Sequence, residues 1–193
     1  MMTVGIDEVG RGCWAGPVVA GAVVLAQPIS GLKDSKKLSK HQREKLGFMI
    51  NEQAAAIGIG WVSAKEVDTI GLTAAVRLAM SRALDEIQVE YDAIIIDGNF
   101  NFLADNPKAT TIVKADDLIP AVSAASIVAK VARDNYMADL SLQFPHYGFE
   151  SHVGYGTAKH LAALHAHGVT GHHRKTVKPV AALLQYESMN GDQ

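Results

Sequence analysis

Four acidic side chains stand where apolar segments of the sequence end. Asp7 and Glu8 close the apolar run that begins at Thr3, Asp97 closes a run of three isoleucines, and Asp116 follows a further β-rich run. Carboxylates at the end of a buried strand are costly unless a cation or hydrogen-bond donors satisfy them. Hard divalent ions prefer such oxygen ligands. The joint placement of the four residues therefore favours a functional cluster.

Each of these positions also has a structural explanation. Asp7 and Glu8 could form an exposed strand end with Arg11 as a local ion partner. Asp97 precedes a glycine in a common turn pair, and Asp116 suits the N-terminus of a following helix. Taken singly, Asp97 and Asp116 are better explained by these roles, so the functional interpretation depends on all four occurring together.

A dinucleotide-binding fingerprint overlaps the first acidic pair. Gly10-x-Gly12-x-x-Ala15 follows a predicted strand, and Asp34 lies roughly twenty residues further on. That fingerprint requires a helix next, because the helix N-terminus holds the pyrophosphate. The residues from Pro17 onward instead indicate a strand, which argues against this alternative.

Histidines near the C-terminus raise the alternative of a zinc site. His165 and His167 are two residues apart on a predicted helix and face different sides, so they cannot bind one ion together. His172 and His173 have no cysteine partner nearby. Cys13 lacks a partnered histidine motif and is expected to be a small packing residue.

The predicted elements alternate between strands and helices. Strands are predicted at Thr3 to Asp7, Pro17 to Ala26, Ile57 to Val62, Ala93 to Ile96 and Thr110 to Val113. Helices are predicted near Ser39 and Ser63, where capping boxes occur, and at Ala74 to Ile87, Pro120 to Leu142, Thr157 to Gly168 and after Pro179. This order predicts a single α/β domain with a mixed sheet. The acidic residues occur at strand ends, where open α/β sheets place their sites.

Composition places few limits on function. The 193 residues are 48% hydrophobic and 20% charged, as is ordinary for a globular protein. No secretory signal is visible and the longest apolar run is too short to span a bilayer, so a soluble, cytoplasmic protein is expected. The net charge of −2 does not itself indicate nucleic-acid binding. Basic residues cluster at Lys33, Lys36, Lys37, Lys40, Arg43 and Lys45, and from His172 to Lys178, which solvated surfaces explain equally well.

Ordered motifs extend over nearly the whole chain. They are Gly5-Ile6-Asp7-Glu8-x-Gly10-Arg11-Gly12-x-x-Ala15-Gly16-Pro17-Val18, Asp34-Ser35-Lys36-Lys37-Leu38-Ser39, Ile96-Asp97-Gly98, Lys114-x-Asp116, Ser123-Ala124-Ala125-Ser126-Ile127-Val128-Ala129-Lys130-Val131-x-Arg133-Asp134, His152-x-Gly154-Tyr155-Gly156-Thr157 and His173-Arg174. In these motifs the sequence resembles the ribonuclease HII (type 2 ribonuclease H) family. The resemblance implies a ribonuclease H-like mixed β-sheet flanked by helices, with a small C-terminal helical portion over about residues 157–193.

The resemblance also implies a reaction and a set of residues. The expected activity is endonucleolytic hydrolysis of the RNA strand of RNA–DNA hybrids and cleavage at ribonucleotides embedded in duplex DNA, as in ribonucleotide excision repair, leaving 5′-phosphate and 3′-hydroxyl ends. Two ions, Mn²⁺ or Mg²⁺, are expected on the catalytic carboxylates, with Asp7 and Asp97 shared between them and Glu8 and Asp116 completing the set. A monomer is expected. The expected substrate-binding residues are Gly10, Arg11, Gly12, Lys36, Lys37, Ser123, Ser126 and Tyr155.

The chain departs from the family pattern at a few positions. Many members have lysine in the place of Val153. The valine therefore removes a phosphate contact that the lysine could make. Ala115, Cys13-Trp14 and Val177 also differ, in ways that resemble packing variation. Two other classes remain alternatives: a different nuclease or transposase on the same fold, and a non-catalytic hybrid-binding module. The complete carboxylate set argues against the second, because repelling phosphate would not help a binding protein.

Overall fold

A five-stranded mixed sheet forms the centre of the molecule. A computed structural model describes residues 2–190, and its strands have the order β3-β2-β1-β4-β5. Their bounds are β1 Thr3–Val9, β2 Val18–Leu25, β3 Ala54–Val62, β4 Ala93–Asp97 and β5 Ala109–Ile112. The pairs β1–β2 and β2–β3 are antiparallel, whereas β1–β4 and β4–β5 are parallel. The predicted mixed α/β sheet is confirmed, and β3 begins three residues earlier than predicted.

Eight α-helices surround this sheet within the described residues. They are α1 Lys40–Gln53, α2 Ala64–Ile70, α3 Leu72–Asp85, α4 Ala115–Leu118, α5 Pro120–Gln143, α6 Phe149–His152, α7 Ala158–His167 and α8 Lys178–Asn190. Both predicted capping boxes are present, at Ser39 with Gln42 and at Ser63 with Glu66. The predicted start of α7 at Thr157 and its stop at Gly168 are also confirmed. No helix in residues 2–190 is both long and apolar enough to cross a membrane.

Helix α5 lies unusually close to the sheet because two glycines face it. A β-carbon on Gly5 would lie 2.2 Å from the carbonyl carbon of Ala121, and one on Gly21 would lie 2.5 Å from the carbonyl oxygen of Ala125. The opposite face of β1 and β4 packs against α3 through buried residues such as Val4 and Ile96. Because side chains alternate between the two faces of a strand, every second residue of β1 faces α5.

The last strand, β5, leads into a short helix that the sequence did not indicate. Asp116 and Asp117 lie within α4 rather than immediately before α5. The two helices are separated at Ile119, which has extended backbone angles. The following residue is Pro120, whose ring disfavours helical geometry at the preceding position.

The C-terminal helices pack on the far end of α5. Their apolar residues form a separate buried cluster that includes Met137, Phe149, Leu164 and Val180. This cluster also holds the segment that follows β1, through Ala15. The loops before α7 and α8 are thereby attached to the same edge of the molecule as the strand ends.

Candidate functional site

Asp7 and Asp97 lie side by side at the end of a parallel strand pair. Ile6 of β1 is in register with Ile96 of β4, and both isoleucines are buried in the core on the α3 side. Side chains alternate along a strand, so the next residue of each strand points toward α5. The pairing of β1 with β4 therefore brings two carboxylates from distant parts of the sequence to one place.

A left-handed residue brings Asp116 to the same edge. β5 ends at Ile112, and Lys114 has φ 60°, which turns the chain back into α4. The amide of Ala115 then donates to Oδ1 of Asp97 at 2.7 Å. The hydroxyl of Ser123 on α5 donates to the carbonyl of Asp116 at 2.6 Å. Asp116 is buried and lies next in sequence to the residue that holds Asp97.

Glu8 follows Asp7 on the strand and is held by a cation. Nη1 of Arg11 donates to Oε1 of Glu8 at 3.0 Å, and the guanidinium carbon lies 5.6 Å from the centre of the Phe102 ring. The Glu8 side chain is only 10% exposed, whereas that of Arg11 is 52% exposed. The ion partner considered from the sequence is thus present, and it fixes Glu8 at the rim of the site.

The carboxylates raise one another's pKa. Burial, followed by the charges of Glu8 and Asp97, raises the pKa of Asp7 to about 7. Burial also raises the pKa of Glu8, against the opposing effect of Arg11, and raises the pKa of Asp116, where Asp97 adds to it. Such shifts indicate negative charge concentrated without enough compensating donors.

Lys36 and Lys37 flank this charge on the other side of a cleft. Burial acts to lower the pKa of Lys36, but Asp7, Asp34 and Asp116 outweigh it and the pKa is raised. Lys37 forms an ion pair with Asp117. Both lysines line an open cleft of about 390 Å³ together with Asp34, Asp97, Gly98, Val113, Lys114, Asp116 and Asp117. The cleft therefore joins a basic edge to the acidic strand ends.

The donor chemistry of these residues fits a hard divalent cation. The cluster offers carboxylate oxygens only, and the raised pKa of Asp7 shows that a positive charge would stabilise its ionised form. Between residues 2 and 190, no three His, Cys, Asp or Glu side chains are grouped so that they could hold an ion as they stand. Glu8 remains turned toward Arg11, and Asp97 toward the Ala115 amide.

Ser123 and Ser126 are buried beneath the site rather than exposed to its cleft. Ser126 hydrogen-bonds the carboxylate of Asp7, and its hydroxyl lies 2.9 Å from that of Ser35. Ser123 holds the backbone of Asp116, as described above. Both serines therefore orient carboxylate-bearing segments, a role that the sequence did not indicate.

The Gly10-Arg11-Gly12 turn is built partly around a buried arginine. Gly10 has φ 92°, and a β-carbon there would lie 2.5 Å from Nε of Arg133. The missing β-carbon of Gly10 thus serves internal packing. At Gly12 the nearest atom to a β-carbon would be Cε1 of Tyr155, at 3.9 Å. Gly12 is the glycine that leaves open space, and Tyr155 lies beside it with 41% of its surface exposed.

Two buried arginines hold this turn, although sequence reasoning assigned them no role. Arg133 donates to the carbonyls of Pro17, Val153 and Ala15 at 2.9, 2.9 and 3.1 Å. Arg174 donates to the carbonyl of Arg11 at 2.9 Å and to that of Gly16. Their presence inside sequence motifs was the only available signal, since a buried arginine satisfied by carbonyls has no marker in the sequence.

The alternative sites considered from the sequence are not supported. The glycine turn leads into strand β2 at Val18 rather than into a helix, so it lacks the element that holds a pyrophosphate. His173 is buried against His160, whereas His165 is exposed on α7.

Comparison with known proteins assigns the family. Residues 4–180 match the model of the family described as Ribonuclease HII. The chain belongs to the ribonuclease HII family. It is 47% identical over 186 residues to the ribonuclease HII of Paracidovorax citrulli, with 95% of this chain and 77% of the relative covered.

Solved structures agree with this assignment. Ribonuclease H2 from Pyrococcus horikoshii OT3 superimposes with a TM-score of 0.84 at 25% identity, covering 98% of this chain and all of that one. Bst-RNase HIII, solved in complex with Mn²⁺, has a TM-score of 0.72 at 20% identity over 98% of this chain and 71% of its own, and this likeness concerns the fold. The ribonuclease H-like fold expected from the motifs is therefore confirmed.

Proposed function

We propose that this member of the ribonuclease HII family hydrolyses the RNA strand of RNA–DNA hybrids and cuts duplex DNA at embedded ribonucleotides. The observation that carries the proposal is the convergence of Asp7 on β1, Asp97 at the end of β4 and Asp116 on α4, beside Glu8. Four carboxylates beside a basic cleft suit phosphodiester hydrolysis, because a divalent cation can link them to a phosphate.

Each carboxylate has a distinct part in the proposed site. Asp7 and Asp97 share one face of the sheet and would both hold divalent ions, Mn²⁺ or Mg²⁺. Glu8 and Asp116 would complete the set, and Glu8 would release Arg11 to do so. Bound ions would supply Lewis-acid activation of the attacking water and stabilise charge on the leaving 3′ oxygen. Ser126 and Ser123 keep Asp7 and Asp116 oriented toward that position.

Choice of RNA over DNA requires a separate group, since both polymers contain the same phosphodiester. We propose that the open backbone at Gly12 and the exposed Tyr155 contact the ribose, whose 2′-hydroxyl distinguishes RNA. Gly10 and Arg11 shape this turn. Lys36 is proposed to contact a phosphate at the cleft edge, and Lys37 does so after exchanging Asp117 for the substrate.

A cleavage panel tests this function. All-DNA duplex, RNA–DNA hybrid and DNA with one ribonucleotide are each incubated with the protein and Mg²⁺, Mn²⁺ or a chelator. Cleavage of the two ribose-containing substrates alone, lost with chelator, is expected. Cutting of all-DNA duplex would instead favour another nuclease on this fold, and binding without cleavage would favour a hybrid-binding module.

The panel also addresses the preference between Mn²⁺ and Mg²⁺. The single-domain organisation, the monomeric state and the cytoplasmic location stay predictions. Sedimentation of the purified chain at several concentrations would test the monomeric state.

A further inference from the structure

Three buried histidines lie directly behind Tyr155. His152, His160 and His173 are 8%, 0% and 1% exposed. The rings of His152 and His160 stack with centroids 4.5 Å apart, and Phe149 packs edge-on against His160. Their hydrogen bonds run to one another and to the backbone of adjacent loops. The proposed hydrolysis uses none of these three imidazoles.

Hydrogen bonding determines which nitrogen of each ring carries the proton. The amide of Thr170 donates to Nδ1 of His173 at 3.0 Å, and an amide can only donate, so this nitrogen is an acceptor. The proton of neutral His173 is therefore on Nε2, which lies 3.0 Å from Nε2 of His160 and donates to it. His160 then carries its proton on Nδ1, which donates to the carbonyl of Tyr155 at 2.9 Å. Donation runs in one direction through the Thr170–His173–His160 chain.

The hydroxyl of Thr170 and the ring of His152 strengthen this arrangement. Oγ1 of Thr170 accepts from the amide of His172 at 3.2 Å and lies 2.8 Å from Nδ1 of His173. Because Nδ1 is an acceptor, the hydroxyl donates to it and shares its lone pair with the Thr170 amide. Nδ1 of His152 accepts from the amide of Gly154 at 3.2 Å, so its Nε2 donates to the carbonyl of Tyr147 at 2.7 Å. The loop that carries Tyr155 is thus attached through two imidazoles of defined tautomer.

The surroundings keep these rings neutral. Burial lowers the pKa of His152 and His160, and burial with the neighbouring His160 lowers the pKa of His173 to about 4. The other titratable groups that act on them are His172 on His173, and Lys159 and Glu150 on His152; Tyr147 also packs on His173. At neutral pH each of these rings therefore carries one N–H group, which donates the hydrogen bond described above.

Tyr155 is constrained by its backbone while its ring stays accessible. Its amide donates to the carbonyl of His152 at 2.9 Å, it forms an isolated bridge with Cys13, and its carbonyl accepts from His160. A contact residue that is positioned before binding loses less conformational entropy when the ligand arrives. The backbone attachment fixes where the ring begins: besides His160, the amide of Thr157 donates to the Tyr155 carbonyl at 3.0 Å. The side chain of Tyr155 also hydrogen-bonds that of Cys13.

We propose that His160, oriented by His173 and Thr170, is a positioning residue that holds Tyr155 for ribose recognition and so contributes to the preference for a single ribonucleotide in DNA. This rests on the proposed function. A junction has one ribose to recognise, whereas a continuous hybrid offers many registers, so a displaced Tyr155 should affect the junction more.

Two substitutions at His160 separate positioning from packing. His160→Leu fills the space but removes both hydrogen bonds. His160→Asn keeps an N–H near the position of Nδ1 for the Tyr155 carbonyl and loses the link to His173. We expect Leu to raise KM for single-ribonucleotide DNA about tenfold, as for a lost hydrogen bond of about 1.4 kcal/mol, with a smaller rise on continuous hybrid and kcat nearly unchanged. With His160→Asn, KM should return most of the way to the value of the unsubstituted protein. The control is His165→Leu on the exposed side of α7, which should leave KM on both substrates unchanged.

Several results would overturn the proposal. A His160→Leu variant that melts like the parent but changes KM equally on both substrates, or on neither, would show that His160 does not position Tyr155 for the single ribose. Failure of the unsubstituted protein to cleave either substrate would refute the proposed function instead. Nitrogen–proton correlation spectra of the unsubstituted protein at pH 7 provide a test that needs no activity and no variant. They should show Nδ1–H on His160 and Nε2–H on His173, and the opposite tautomers or a charged ring would refute the chain.

Discussion

Replacing Asp7 with asparagine should stabilise the metal-free protein. The pKa of Asp7 is about 7 in the folded chain against an ordinary value of 3.8. The folded carboxyl therefore keeps a proton that the unfolded one has lost, and stability falls as the pH rises from 3.8 to about 7. A rise of about three units in the pKa of Asp7 corresponds to roughly 4 kcal/mol of folding free energy. This contribution to stability is fully lost above pH 7.

The asparagine variant avoids this loss but keeps one hydrogen bond. Its amide oxygen can still accept from the Glu8 amide, which lies 2.8 Å from Oδ1 of Asp7, while the bond with Ser126 is weakened. We expect a net gain of roughly 2 kcal/mol at pH 8, since a hydrogen bond to a charged group contributes about 2 kcal/mol. For a chain of this length that raises Tm by roughly 4–8 °C.

Thermal unfolding in chelator between pH 5 and 8.5 measures the difference between variant and parent. His173 also affects the stability of each protein below pH 6.5. Its pKa is about 4 in the folded chain, so the unfolded chain takes up a proton first and stability falls from pH 6.5 toward pH 4. That effect is common to both proteins and cancels in the difference. The control Asp139→Asn, on an exposed part of α5, should show no increase in stability relative to the parent as the pH rises. An Asp7→Asn variant no more stable than the parent at pH 8 would refute the reasoning. Added Mn²⁺ should stabilise the parent and leave Asp7→Asn nearly unchanged.

Four further outcomes are expected. Asp97→Asn should lower cleavage at least a hundredfold while the folded protein still binds substrate, measured by turnover and melting; near-normal turnover would refute its assignment as a metal ligand. Tyr155→Ala should slow cleavage at a single ribonucleotide more than on continuous hybrid, by roughly 1–3 kcal/mol in kcat/KM, and equal losses would contradict its role at the junction. Val153→Lys should tighten substrate binding and steepen its salt dependence by about one counterion, which a binding titration at several salt concentrations checks. Gly5→Ala should destabilise the fold by roughly 3 kcal/mol or more in denaturant unfolding, because its β-carbon would overlap the backbone of Ala121; a change below 1 kcal/mol would contradict this packing.

The order of elements was readable from the sequence because local rules decide it. Capping boxes begin α1 and α2, Thr157 and Gly168 bound α7, and the alternation of strands with helices predicted a mixed sheet. The motif resemblance indicated the family, and the comparisons confirm it. The same motifs predicted the four carboxylates as one site. The pairing of β1 with β4 brings Asp7 beside Asp97, and α4 carries Asp116, while their role as catalytic ligands stays a prediction.

Contacts between distant residues were decided only by the tertiary structure. Nothing local shows that Ser126 reaches Asp7, that Gly10 makes room for Arg133, or that α4 forms separately from α5. The histidines near the C-terminus looked like weak zinc candidates, yet His173 forms a directed hydrogen-bond chain with His160. The physical reason is that a hydrogen bond or a close approach depends on two segments meeting at a given register. Patterns of 3.6 and 2 residues describe each segment alone, whereas sheet pairing and the packing of α5 determine which side chains meet.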